Sequence, residues 1–352
     1  MNIRDILTAD IIDEKYHAYD CNPRHMKDFL NFNRNFEKRQ KRAIQLIEDI
    51  MSANRKKDLL SEVTRELAKI EYSIRELQPW ARDHVVHALL SFILGIYLDS
   101  KLLKPSSNRP FDPLQWKLAG LYHDVGYPAQ IAKQALLGRL TSTINKTRDN
   151  IGVSRPDVYA RIELVNIDKL QNDISSFNLI QNRIDEWDLR IDVEQEYVEM
   201  VKSGNANHGM VSSLTLLYLL DVLYERYNQK RLPEPTIVGG VDFNQRYFER
   251  DIVSACAAIY VHNLPGHCFH NAKIDRSRAL VAFLLKLSDT LQEWERPSLR
   301  NPSGFSVDKF NIFEENGILI FETNIPAQEI SRIKTDLSVL IAPDVEIWLK
   351  PN

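Results

Sequence analysis

A helix that is apolar on nearly every side can be satisfied only by other helices packed around it, and residues 82–95 form such a helix. Along it His84, His87, Ala88, Ser91 and Gly95 fall on one side. The small residues below the two histidines let a neighbouring helix come close and leave room for a site. One histidine on such a face is usually a satisfied core residue. Two of them, three positions apart, point to chemistry about as strongly as to packing.

The next helix ends in an adjacent His and Asp. Asp112 is a good N-cap and Pro113 suits the first helical position. Leu114, Leu118, Leu121 and Val125 recur at spacings of four, three and four, one face of a helix. Gly126 and Pro128 then stop it, which puts His123 and Asp124 in the last turn. Partial negative charge from unpaired carbonyls gathers there, and an imidazole beside a carboxylate could hold a divalent cation. The plainer alternative is a surface ion pair or a capped helix end.

Further titratable residues sit at later helix ends. His208 lies in the first turn of an apolar helix running through Met210 to Tyr227, and His262 closes the apolar stripe of a helix over Tyr247 to Leu264. A last core helix, about Asp275 to Trp294, carries Asp289 on a flank with Ala282 and Lys286. A carboxylate there is costly to bury unless a metal, Lys286 or a nearby Arg meets it. The loop holding His267, Cys268 and His270 lacks the second ligand pair of a structural zinc site and reads as a lining of the pocket mouth, with His267 and His270 as substrate contacts.

Outside this core, residues 1–79 read as polar helices, and the basic cluster Lys38-Arg39-Gln40-Lys41-Arg42 as a solvated helix face. Residues 129–205 read as an insertion, either a lid or an interaction surface. Beyond Arg296, two strands around Asn316-Gly317, a helix (Ala327 to Ile341) and a strand (Val345 to Leu349) form a small β-β-α-β appendage, residues 297–352. The fold class is thus mainly α, an all-helical core over 80–296 with an α+β appendage. A net charge of −3 argues against nucleic acid as the main partner. No apolar run reaches membrane-spanning length, Met1 to Asp5 show no signal-peptide pattern, and the scattered Cys21, Cys256 and Cys268 read as reduced thiols. A cytoplasmic protein, with homo-oligomerisation open, is the expectation.

The ordered set His87, His123-Asp124, His208, His262, Asp289 resembles the HD-domain superfamily of metal-dependent phosphohydrolases over about residues 80 to 296. Leu-Tyr-His-Asp-Val-Gly and Leu-Lys-Leu-Ser-Asp-Thr-Leu-Gln-Glu-Trp-Glu-Arg look like its second and last metal motifs. The resemblance implies one or two divalent ions (Mn, Fe, Mg, Zn or Ni). His87, His123, Asp124 and Asp289 would hold one, with Asp124 bridging to a second held by His208 and His262. Either His84 or His87 can be the first ligand, and His87 is favoured. The cyclic-nucleotide phosphodiesterases, similar in site layout, place an acid histidine before a ligand His followed by Ala. His87 precedes Ala88, which makes His84 the candidate acid. Arg82, Lys286 and Arg296 are candidates to steady developing charge, each with a salt bridge as its alternative. Gly126-Tyr127-Pro128 spells the tripeptide of the cyclic-di-GMP phosphodiesterase subgroup, but there it belongs to a separate motif with paired histidines, absent here, so that substrate is not implied. The expected activity is hydrolysis of a nucleotide or related phosphoester. A di-iron oxygenase on the same fold and a nucleotide-sensing regulatory module are the alternatives.

Overall fold

Every residue of the helix that carries His84 and His87 is buried, and the other helices are arranged around it. The computed structural model describes residues 3–11, 14–31, 36–52, 57–58, 60–77, 83–102, 112–132, 137–150, 154, 156–157, 159–161, 163–228, 236–237, 248–292, 310–316, 318–323, 325, 327–342 and 346–351. Its helices are α1 (Ile3–Asp10), α2 (Pro23–Asn31), α3 (Phe36–Met51), α4 (Leu60–Leu77), α5 (His84–Tyr97), α6 (Pro113–Tyr122), α7 (Tyr127–Ala132), α8 (Gly138–Asn150), α9 (Ser176–Glu186), α10 (Val193–Ser203), α11 (His208–Asn228), α12 (Val253–His262), α13 (Leu280–Leu291) and α14 (Ala327–Leu337). The strands are β1 (Lys57–Asp58), β2 (Thr236–Ile237), β3 (Ile274–Asp275), β4 (Phe310–Glu315), β5 (Ile318–Thr323), β6 (Leu340–Ile341) and β7 (Glu346–Pro351). The chain is mainly α, as its periodicity predicts.

The Asp112 cap forms as the sequence suggests, and the structure adds one at Asp83, which the sequence pattern places inside the helix. Asp83 accepts from the Val86 amide at 3.0 Å to start α5. Asp112 accepts from the Leu114 amide at 2.9 Å, with Pro113 opening α6. α12, also buried along its whole length, is the centre of the bundle and touches α6, α9, α11 and α13. α6 and α13 pack in turn on α5. α13 begins at Leu280, later than the start at about Asp275 read from the sequence. Asp275 lies in β3 instead, and its carboxylate accepts from the Ser277 amide at 2.7 Å.

The segment 129–205 divides. Phe177, Ile180 and Ile184 of α9 are buried, and α9 packs on α12. The Tyr260 hydroxyl of α12 donates to the Val193 carbonyl at the start of α10 at 2.6 Å. This half is therefore bundle rather than lid. The earlier half keeps Leu140, Ile144, Tyr159 and Val165 exposed.

The N-terminal helices are not independent of the core. α1, α3 and α4 pack on α5, and the basic cluster is only partly solvated. Lys38, Lys41 and Arg42 are exposed, but Arg39 and Gln40 are buried. The Gln40 amide donates to Glu71 at 3.1 Å and to Asp83 at 3.4 Å, while Glu71 accepts from the His84 amide at 2.8 Å. Arg39 stacks over the Phe29 ring at 5.2 Å, and burial pushes its pKa down to about 9. The reason is geometric: the cluster winds around α3, so the side facing α5 cannot reach water.

The appendage has strand order β4-β5-β7, antiparallel then parallel, with α14 crossing between β5 and β7. Phe310 opposes Thr323 and Ile318 opposes Glu346. Asn316 adopts a positive φ of 53° at the hairpin. The appendage helix is shorter than its sequence pattern, because Leu340–Ile341 pairs in parallel with β3 and fastens the appendage to the bundle. α14 packs on α13, the helix that bears Asp289. No helix among the described residues is long and apolar enough to cross a membrane.

Gly126 is where α11 meets the turn after α6. Its amide donates to Ser212 Oγ at 2.7 Å, and a Cβ there would stand 2.5 Å from the Ser212 amide nitrogen and 2.6 Å from the His208 carbonyl oxygen. Both obstacles include backbone that cannot rotate away. Gly126→Ala should therefore cost about 3 kcal/mol, the upper end of overpacking penalties, read as a lowered urea midpoint. An unchanged midpoint would contradict this close contact.

Candidate metal centre

Helix ends deliver the site. His84 and His87 open α5, His208 opens α11, His262 closes α12, and Asp289 lies in the last turn of α13. α6 stops at Tyr122, three residues sooner than the periodicity through Val125 suggests, so His123 caps it and Asp124 falls in the turn to α7. Pro128 does not end a helix. It sits in the first turn of α7, where a missing N–H costs nothing. Gly209 lets α11 cross close to α12: a Cβ there would meet the Ile259 carbonyl at 2.9 Å and His262 Cε1 at 3.0 Å.

These ends converge. His87 Nε2 is 2.7 Å from Asp289 Oδ1 and 3.8 Å from Asp124 Oδ2. His123 Nε2 is 3.6 Å from Asp289 Oδ1 and 3.7 Å from Asp124 Oδ2. His208 Nε2 is 3.3 Å from the other oxygen, Asp124 Oδ1. The His262 ring lies 5.2 Å from that of His123 and 5.3 Å from that of His208. Two triads, His87–His123–Asp289 and His123–Asp124–His262, have their donor atoms within 4.8 Å of one another and share His123. These buried His/Asp clusters could hold a metal ion.

All four histidines of the centre turn Nδ1 outward to an oxygen. His87 donates to Gln292 Oε1, His123 to the Gly120 carbonyl at 3.0 Å, His208 to Gln130 Oε1 at 2.8 Å and His262 to the Ile259 carbonyl at 2.5 Å. With the proton on Nδ1, each Nε2 lone pair faces inward. His123 Nε2, His262 Nε2 and Asp124 Oδ1 are buried without a hydrogen bond. Lone pairs facing one another in a dry interior are costly unless a cation lies between them, either protons or a metal. The donor set therefore fits a metal.

The proton balance shows the same demand. Burial opposes charge on His123, but Asp124 and Asp289 outweigh it and raise its pKa. Burial also opposes ionised Asp124 and Asp289, yet the surrounding histidines hold both carboxyls well below the usual range. His262 goes the other way. Burial, with His123 and His208 adding to it against Asp289, pushes it down to about 3.

The remaining expected residues are placed differently. His84 is fully buried, 3.4 Å ring to ring from Tyr127, and its Nδ1 is 2.8 Å from Asp124 Oδ2. It lies outside both triads and orients Asp124. Lys286 is buried in α13 and makes no hydrogen bond or ion pair among the described residues. Burial lowers its pKa against Asp336 of α14 and Asp289, so its surroundings include the appendage as well as the site. His267 and His270 are exposed, apart from the central cluster. Arg82 and Arg296 lie outside the described residues. Gln130 and Gln292, which hold the rings of His208 and His87, are residues that sequence reasoning passed over. The usable signal was Gln292 standing three positions after Asp289, at the same helix end.

The centre is open on one edge. The Asp289 side chain is 19% exposed and that of His208 11%, against 0–2% for His84, His87, His123 and Asp124. A cleft of about 990 Å³ lined by Lys334, Ile341 and Trp348 lies on the appendage and shares no residue with the centre. No family model, curated protein or solved structure matches this chain.

Two outcomes follow for this centre. His262 binds its proton more weakly folded (about 3) than unfolded (about 6.5), so the unfolded chain takes up the extra proton as pH falls through that window. His262 should therefore contribute a loss of stability to the metal-free protein from about pH 6.5 downward, opposed by His123, whose raised pKa acts in the other direction, and His262→Gln should make the protein relatively more stable on acidification than the parent in denaturation series. Loss of the depressed Asp124 and Asp289 carboxylates adds a second fall below about pH 4. Gln292→Leu, which frees His87 to rotate, should weaken metal affinity about 10–100-fold in calorimetric titration with little change in fold.

Proposed function

We propose that this chain is a metal-dependent phosphohydrolase or phosphodiesterase of the HD type, acting on a nucleotide or related phosphoester. One observation carries the reading: four histidines, their Nδ1 atoms fixed outward, present Nε2 around one buried carboxylate, Asp124, and one partly exposed carboxylate, Asp289. One or two divalent ions held by His87, His123, Asp124, His208, His262 and Asp289 would supply Lewis acidity to activate a water and offset phosphoryl charge. An all-nitrogen-and-oxygen set suits Mn, Fe, Zn, Ni or Mg.

The chain's own residues supply position. Asp124 presents Oδ2 toward His84, His87 and His123 and Oδ1 toward His208, the disposition a bridging carboxylate needs. His84 fixes Asp124, and Tyr127 lies over the His84 ring. The edge at Asp289 and His208 admits a phosphoester, while the buried sides exclude water and strengthen every charge–charge interaction inside. All three cysteines are free thiols, which supports a cytoplasmic setting.

The test is metal content by mass spectrometry on protein purified without chelators, beside assays of phosphodiester and nucleotide hydrolysis with added Mn, Fe or Zn. About two ions per chain more than in Asp124→Ala are expected, together with hydrolysis that falls at least about 100-fold in His87→Ala. A parent protein that neither takes up metal nor hydrolyses a phosphoester under these conditions overturns the reading.

A further inference from the structure

A third group of donors lies apart from the central cluster. Glu196, in the first turn of α10, meets the turn Gly266–Phe269. A Glu196 carboxylate oxygen, a His267 ring nitrogen and Cys268 Sγ all lie within 4.8 Å of one another. Cys268 and Glu196 are half-buried while His267 is exposed. The Cys268 thiol is hydrogen-bonded to the Glu196 carboxylate. The His-Cys-x-His run has no partner pair in the sequence, but the fold brings it a carboxylate from an earlier helix.

We propose that Glu196, His267 and Cys268 form a second metal site, chemically distinct from the first and suited to zinc. Thiolate, imidazole and carboxylate are together a borderline-soft set that zinc accepts, with a fourth position left to water. Zinc bond lengths of about 2.0–2.3 Å separate tetrahedral donors by roughly 3.3–3.7 Å, so about 1 Å of side-chain movement completes the site. The turn has room to make it. A Cβ on Gly266 would meet nothing within 4 Å, and the His267 ring is on the surface. On binding, the thiol proton leaves to solvent and the sulfur's hydrogen bond to Glu196 becomes shared ligation of the ion.

The position suggests what the ion does. The turn follows α12 just beyond His262, and α10 runs on through 204–207 to His208. An ion held between α10 and the turn braces the segments flanking two histidines of the central cluster. This site is structural or regulatory, and it stands whether or not the central cluster hydrolyses phosphoesters.

Cobalt(II) titration of the full chain tests it, because the central cluster contains no sulfur. A thiolate-to-cobalt charge-transfer band is expected in the parent and in Asp124→Ala, and its loss in Cys268→Ser. Glu196→Gln and His267→Ala should weaken it. A band that survives Cys268→Ser, or no band with cobalt in excess over the central cluster, overturns the site. A second measurement needs no variant at Cys268. Zinc should slow alkylation of Cys268 by iodoacetamide at least about tenfold, followed by peptide mass spectrometry in the Asp124→Ala background. An unchanged rate also overturns it.

Discussion

A carboxylate 1% exposed in a helical core is the constraint on which the rest of this structure depends. Asp124 stays ionised there only because His84, His87, His123 and His208 converge on its two oxygens. Burial alone would favour its neutral form, and removing a partner from a buried charge typically costs about 3–5 kcal/mol. The helices that bring those partners must therefore end at one place. α5 and α11 begin there, α6 and α12 end there, and the last turn of α13 adds Asp289. The close contact at Gly126 fixes the turn carrying Asp124 to α11, and that at Gly209 sets α11 against α12.

The periphery serves the same convergence. Gln40 and Glu71, from α3 and α4, reach the start of α5 and hold its first amide and its cap. The first turn of a helix has unpaired N–H groups, and burial denies them water. The N-terminal helices supply the acceptor, so the two histidines one turn apart on α5 are held by elements outside the resemblance. At the other end of the bundle the appendage leans on α13 and is fastened through the pairing of β3 with β6. Half of the segment between α7 and α11 is likewise core, since α9 covers α12.

Ring orientation decides what such a cluster can do. An imidazole offers one donor and one acceptor, and whichever nitrogen binds an outer oxygen determines which faces in. Two backbone carbonyls and two glutamines hold Nδ1 of all four histidines in the centre, so the inward face is a set of acceptors beside carboxylates. Such a face is at rest only around a cation. His84 differs because its Nδ1 turns toward Asp124, which makes it a support for the carboxylate.

The sequence by itself determined the helical class, the cap at Asp112, the buried length of α5 and the His and Asp residues that meet in the centre. It could do so because helical periodicity and capping are local, and His and Asp at the ends of apolar helices are rare enough to stand out. The tertiary structure alone decided which nitrogen of each ring faces inward, that Gln130 and Gln292 hold two of them, and that His84 serves Asp124. It also decided that Arg39 and Gln40 are buried, that α9 belongs to the bundle, and that Glu196 joins His267 and Cys268. Each of these rests on contacts between residues distant in the chain. A side chain's role there is set by which partner the packed helices bring within hydrogen-bonding distance, and spacing along one helix carries no record of that partner.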